Sequence, residues 1–241
     1  MSVRQDKVRE HYDAIAEVYD SHYDCVRGRN YHTHLSGYVL DALPKGGRLL
    51  DIGCGTGLFA RQYLEYGGSA TGIDLSARMT GRARLRCTEC DFSVGTADHL
   101  PFRDASFDAV SSLLVFTYLK HPEGMLSEAF RVLRPGGSIA ICTLGKKLLT
   151  RGIPALYHIS EKMRVRHVVM KNFGEHYYDE RDMRDLFSGA GFEGIEVQWC
   201  SFAHINMIDP VFSLARRIEP FVEKRVPQLA FNICVSARKP E

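Results

Sequence analysis

The chain has 241 residues, 45% of them hydrophobic and 25% charged, with a formal net charge of +2. This is an ordinary globular composition, and it excludes a chain-wide polyanion-binding surface and a small disulfide scaffold. No leader-like apolar stretch opens the sequence and no run of 18 apolar residues occurs, so the expectation is one cytoplasmic domain over residues 1–241 without a membrane-spanning segment.

The first helical pattern runs through Val8, Tyr12, Ile15 and Tyr19. A polar, aromatic-rich stretch follows, "YDSHYDCVRGRNYHTH", and then a second helical pattern through Leu35, Val39, Leu40 and Leu43, stopped at Pro44-Lys45-Gly46-Gly47. From there strands and helices alternate. "RLLDIG" reads as a buried strand, "GLFARQYLEYG" as a helix, "SATGID" as a strand and "SARMTGRARLR" as a helix capped by Ser76. "FSVGTA" and "FDAVSSLLVF" are strands. "PEGMLSEAFRVL" is a helix with Pro122 in its first turn, and "RPGG" stops it. "SIAICTL" is a strand, "DERDMRDLFSGAG" a helix capped by Asp179, and "FEGIEVQWC" and "AFNICVSARK" are the last strands. Apolar strands alternating with helices predict an α/β fold, doubly wound around a mainly parallel sheet. Ligands on such sheets bind beyond the carboxyl ends of the strands, which directs attention to the loop Gly53–Gly57.

Seven cysteines are scattered along the chain, several inside strand-like runs, and read as reduced, buried thiols. Cys87 and Cys90 form the one C-x-x-C. A lone pair supplies two of the four ligands of a structural zinc, so both read as ordinary helix-end cysteines and no metal is expected.

The glycine loop has two readings. Gly55-Thr56-Gly57-Leu58-Phe59-Ala60 satisfies G-x-G-x-x-[GA], and Asp74 lies 19 residues after Gly55, as a dinucleotide site would have it. Asp51 argues the other way. It ends the first strand beside the glycines, where its carboxylate would repel a pyrophosphate that needs N–H groups. A cationic, phosphate-free cofactor would be attracted instead.

Here the sequence resembles the class I S-adenosylmethionine-dependent methyltransferases. "LLDIGCGTG" resembles their first motif and "GIDLS" (72–76) the second. "GTADHLPFRDASFDAV" (95–110) resembles the adenine-side loop and fourth strand, and "EAFRVLRPGG" (128–137) the turn before the fifth. "YDAIAEVYD" (12–20) resembles the entry helix of the small-molecule branch related to ubiquinone/menaquinone C-methyltransferases. The resemblance implies a seven-stranded sheet ordered 3-2-1-4-5-7-6, with strand 7 antiparallel. It implies that S-adenosyl-L-methionine is the cofactor, with S-adenosyl-L-homocysteine as product. Asp51, Gly53, Cys54, Gly55 and Gly57 would cradle the methionine moiety, and Asp74 would take the ribose hydroxyls. Leu75 and Met79 would pack on the adenine, and the Ala97 N–H would meet the ring nitrogen. Relatives usually carry Asp or Asn where this chain has Thr96, so Thr96 or Asp98 would receive the adenine amino group. Leu114 and Thr117 would border the methionine end, with Tyr19 closing over its carboxylate.

Methyl transfer from a sulfonium is an in-line displacement that needs alignment more than a base. The sequence shows no clear catalytic residue. His22, His32, His34, His121, His176, Tyr177 and Tyr178 are candidate bases. The resemblance also implies helical lids over the substrate, namely residues 1–45 with insertions 145–178 and 200–228. The first insertion carries Lys146, Lys147, Arg151, Lys162, Arg164, Arg166 and Lys171, which suit an acidic substrate, an anionic membrane surface or solvent alone. The second has an apolar side of Val211, Phe212, Leu214, Ala215, Ile218, Phe221 and Val222, read as a lid over an apolar substrate, a dimer contact or a membrane-surface helix. Adenine-N6 and cytosine-C5 motifs are absent, so a small-molecule acceptor is expected rather than nucleic acid. A non-catalytic cofactor-binding module and an NAD(P)-dependent oxidoreductase are the rival readings, and the chain is expected to be a monomer or homodimer.

Overall fold

The computed structural model describes residues 3–146, 175–205, 207 and 209–241. Most of the basic insertion therefore lies outside the described residues, as does the His22 side chain. The elements in chain order are α1 (Val3–Tyr19), α2 (Ser21–Asp24), α3 (Val26–Asp41), β1 (Arg48–Ile52), α4 (Leu58–Glu65), β2 (Ser69–Asp74), α5 (Ala77–Arg86), β3 (Asp91–Val94), β4 (Phe107–Leu113), α6 (Pro122–Val132), β5 (Leu133–Leu144), α7 (Glu180–Gly189), β6 (Glu193–Cys200), α8 (Asp209–Arg225) and β7 (Asn232–Arg238). The seven strands form one sheet in the order β3-β2-β1-β4-β5-β7-β6. β7 runs antiparallel to both neighbours, while β1 to β5 are mutually parallel, as expected.

Period-two alternation along the strands sends side chains to two cores. Leu50, Ile52, Val110, Ile139 and Ile141 face α6 and α7, where Met125, Leu126, Met183 and Phe187 meet them. Leu49, Ala70, Ala109, Ala140 and Cys142 face the other way, toward Leu35 and Val39 of α3, Phe59 of α4 and Ala83 of α5. Caps end the helices where the sequence placed them. Ser76 Oγ accepts from Met79 N at 3.1 Å, and Asp179 forms a reciprocal capping box with Asp182.

The aromatic stretch after Tyr19 is carried by α2 and the first turns of α3, which put Tyr31 and Leu35 against the sheet. Two expectations are corrected. α6 ends at Val132, ahead of "RPGG", but Arg134-Pro135-Gly136-Gly137, expected as a turn before the fifth strand, belongs to β5. Phe107 pairs with Leu133 and Ala109 with Ser138, and the register shift between them absorbs the extra residues as a bulge. Cys87 and Cys90 are disulfide-bonded, because the C-terminal end of α5 brings their Cα atoms to 5.5 Å.

α8 buries Phe212, Ala215 and Val222 but leaves Leu214 and Phe221 62% and 65% exposed, so the apolar side read from sequence is divided between core and surface. Among the described residues no helix is long and apolar enough to cross a membrane.

Candidate functional site

The carboxyl ends of β1 to β5 open onto one cavity of about 170 Å³, roughly ten times what a single water needs. α1 and α3 cover it, contributing Val8, Tyr12, Tyr19 and Tyr31. The apolar stripe that marked α1 as a helix therefore faces this cavity, and explains why Tyr12 and Tyr19 are apolar-facing without being in the sheet's own core.

The glycine loop forms the floor. Gly53 N donates to the Ile73 carbonyl at 2.7 Å, which binds the loop to the end of β2. Gly53 has φ +73°, and a Cβ there would lie 2.1 Å from Val115 Cγ2, so only glycine lets this loop pass the segment after β4. Gly55 has φ +53° and differs in a telling way: a Cβ there would meet nothing within 4 Å, because the residue faces the open cavity. A backbone exposed like this is a cradle for a ligand that approaches closely. Leu114, after β4, is left-handed at φ +60°, and its N–H donates to the Cys142 carbonyl at 2.7 Å. A non-glycine residue in that conformation is strained, as residues at functional sites often are.

Two carboxylates flank the floor. Asp74 Oδ2 accepts from Gly55 N at 2.9 Å and Oδ1 from Ser76 N at 2.8 Å. The Leu75 N–H also bonds this carboxylate, which still keeps acceptor capacity for a ligand. Burial pushes the Asp74 carboxyl above its ordinary range, against the lowering effect of these N–H groups. Asp51 is 2% exposed and accepts from Ser111 Oγ at 2.8 Å. Burial pushes its carboxyl up to about 7; Ser111 opposes that shift and Asp74 adds to it. An excess positive charge beside these groups would favour their ionised forms.

Gly53, Gly55, Asp74, Leu75, Met79, Thr96, Ala97, Leu114, Thr117 and Tyr19 all line the cavity. Asp51 and Cys54 line a smaller hollow that shares Tyr19, Gly53, Gly55 and Leu114 with it. Gly57 lines neither; it packs against Ala83 and Phe92 and supports the loop from below. Of the two candidates for the adenine amino group, Thr96 faces the cavity, whereas Asp98 stands outside it against Gly124. Among the candidate bases, His32 borders the smaller hollow, and burial, with help from Arg86, pushes its imidazole down to about 4. His34 is instead held by Glu223, 2.7 Å from Nε2. Thr117 Oγ1 donates to the His176 carbonyl at 2.8 Å, and Arg4 Nη1 lies 3.0 Å from the His176 ring.

Sequence reasoning missed two groups. Tyr118, His204 and Ile205 also line the cavity, Tyr12 donating to Tyr118 Oη at 3.2 Å and His204 packing edge-on to Tyr31. The sheet order puts these residues over β4 and β5, across the glycine loop from Asp74 and Thr96. The sequence reads 200–228 as a cover but carries no signal that singles out His204. The second group is a latch. Asp20 Oδ1 accepts from Thr56 Oγ1 at 2.6 Å, and Arg86 donates to Asp20 Oδ2 at 2.7 Å and to the Thr56 carbonyl at 2.7 Å. It fastens the α1–α2 junction to the glycine loop.

A doubly wound sheet of this order, with a glycine loop after β1 and an acid ending β2 around one covered cavity, is the arrangement that the resemblance to the class I S-adenosylmethionine-dependent methyltransferases implies. Residues 50–141 match the family model described as "Methyltransferase domain". The demethylmenaquinone methyltransferase of Tropheryma whipplei is 32% identical over 139 residues, 56% of this chain and 58% of that protein. The malonyl-[acyl-carrier protein] O-methyltransferase of Serratia marcescens is 39% identical over 99 residues, 41% of this chain and 39% of that one. An S-adenosylmethionine-dependent methyltransferase structure from Thermotoga maritima superposes with a TM-score of 0.66 at 26% identity, covering 95% of this chain and 99% of that one. The chain thus spans little more than half the length of the Tropheryma protein.

Proposed function

We propose that the protein transfers the methyl group of S-adenosylmethionine to a small, largely apolar acceptor bound in the cavity. The observation that carries this reading is the floor itself: exposed Gly55 backbone between two buried carboxylates, in a hollow suited to a cation and hostile to a diphosphate. The cofactor supplies a methyl group already activated on a sulfonium. Asp74 holds the ribose hydroxyls, and Asp51 faces the amino group of the methionine end. Leu75 and Met79 pack on the adenine, with Thr96 and the Ala97 N–H at its edge. Tyr19 covers the carboxylate.

The acceptor lies on the β4–β5 side, against Tyr12, Tyr31, Tyr118, Leu144, His204 and Ile205. Burial pushes the phenols of Tyr12 and Tyr19 well above their ordinary range, so they stay protonated and can donate. Orientation and exclusion of water carry most of the rate, as expected when the leaving group is neutral. α1–α3 and residues 200–228 act as the lid. The curated relatives differ in the acceptors that their names give, so the apolar lining here, rather than a name, sets the acceptor class.

Calorimetry tests the reading. S-adenosylhomocysteine is expected to bind with a stoichiometry of one, and NADH to give no heat of binding. Binding of NADH, or silence from both, would contradict it.

The latch makes a separate prediction. Asp20→Ala leaves the Arg86 guanidinium and the buried Thr56 hydroxyl without their carboxylate. Arg86 is one-fifth exposed, so the expected loss is about 2–3 kcal/mol, at the low end for a broken buried pair. Thermal unfolding should show it as a lower Tm. S-adenosylhomocysteine affinity should fall several-fold, because Tyr19 adjoins the released junction. An unchanged affinity would mean that the latch only stabilises the fold.

A further inference from the structure

A second cluster of reactive side chains lies apart from the methyl-transfer cavity. Cys142 on β5 pairs directly with Cys234 on β7, and Cys200 on β6 pairs with Asn232, two residues before Cys234. Paired residues, and residues two apart on one strand, share a face of the sheet. All three thiols therefore project to the same side, beneath α3, and are 0–7% exposed. Their Sγ atoms all lie within 4.8 Å of one another, and Cys200 Sγ is 3.2 Å from Cys234 Sγ.

These separations match a coordination triangle. Three sulfurs each about 2.3 Å from one ion stand roughly 4 Å apart. One separation is 3.2 Å and none exceeds 4.8 Å, so shifts of less than an ångström would bring all three to that spacing around one ion. Three adjacent strands, fixed in register by backbone hydrogen bonds, present the sulfurs, so the triangle is rigid before any ion arrives. All donors are soft, which selects thiophilic ions over oxygen-seeking ones.

We propose that Cys142, Cys200 and Cys234 form a binding site for one thiophilic d10 metal ion, with Cu(I), which three sulfurs can satisfy, as the first candidate. Each metal–sulfur bond replaces an S–H bond, and the proton leaves to solvent. Because the sulfurs are buried, the ion enters during folding or through a transient opening of α3, so the site's role is to clamp β5, β6 and β7 together. The proposal is independent of the methyl-transfer reading.

The test uses the full chain carrying Cys25→Ser, Cys87→Ser and Cys90→Ser, which removes the exposed thiol and the Cys87–Cys90 pair, whose thiols would take up Cu(I) once reduced during unfolding. The protein is unfolded and refolded without oxygen in the presence of Cu(I) held by a coloured chelator. One equivalent of Cu(I) per chain is expected to pass from chelator to protein, with a rise in Tm. In this background Cys200→Ser and Cys234→Ala should each cut the uptake at least tenfold. Absence of uptake by the parent protein, or uptake that survives either further substitution, would overturn the proposal. The parent result alone decides if a variant fails to refold.

Discussion

Asp74→Ala is expected to weaken S-adenosylhomocysteine binding by at least tenfold. The carboxylate is the proposed ribose ligand, and a hydrogen bond to a charged group contributes about 1.5–3 kcal/mol, which is ten- to more than a hundredfold in affinity. Asp74 also holds Gly55 N and Ser76 N, so its loss slackens the glycine loop and the start of α5 together. Asp74→Asn separates the two contributions, since an amide oxygen can still accept from one of these N–H groups. Titration calorimetry on both variants, with Tm measured beside it, checks the expectation. Unchanged affinity in Asp74→Ala would remove this residue from the site.

Asp51→Asn is expected to stabilise the cofactor-free protein while impairing binding. The Asp51 carboxyl has an ordinary value of 3.8 and is raised to about 7 in the folded chain, mainly by burial. The folded state therefore holds a proton that the unfolded state gives up. The associated stability is fully present below the unfolded value and is lost as pH rises to about 7, at about 1.4 kcal/mol per pH unit, or about 4 kcal/mol as an order of magnitude. Asparagine has no such charge to bury and can still accept from Ser111. Without cofactor, the variant should melt above the parent at about pH 8, with the difference shrinking toward about pH 5. Its affinity for S-adenosylhomocysteine should drop at least tenfold at about pH 8, where the parent has its carboxylate ionised for the cofactor's ammonium. Parent affinity should rise with pH through neutrality, and the variant should lack that rise. Scanning calorimetry across pH, paired with titrations, measures both. A variant that loses stability at about pH 8 would show that Asp51 serves the fold through its charge.

A residue kept at a stability cost is what a binding site leads one to expect, and it bears on how much of this protein could be read from its sequence. The glycine loop, Asp51 and Asp74 were legible because they are contiguous with short strands whose order follows from the family resemblance. Ten of the proposed cofactor residues do line one cavity. Tyr118 and His204 were not legible, because each comes from a loop whose path depends on packing far along the chain. Asp20 and Arg86, 66 residues apart, meet only because α1 lies along α5. The choice between Thr96 and Asp98 turned on which side of a tight bend faces the cavity, which local pattern does not encode. The cysteine triangle needed the pairing register of three strands; from the sequence alone these were three unrelated buried thiols. Pro-Gly-Gly marks the end of an element, and α6 does end just before Arg134–Gly137, but a bulge takes these residues into β5 where a turn was expected.

The central claim is that a phosphate-free cation-bearing nucleoside occupies the hollow above β1 and β2. A crystal structure with S-adenosylhomocysteine tests it most directly. The account predicts ribose hydroxyls on Asp74, the amino group turned toward Asp51, and the sulfur facing Tyr12, Tyr118 and His204. The nucleoside bound elsewhere on the chain, or bound here with its amino group turned away from Asp51, would contradict it.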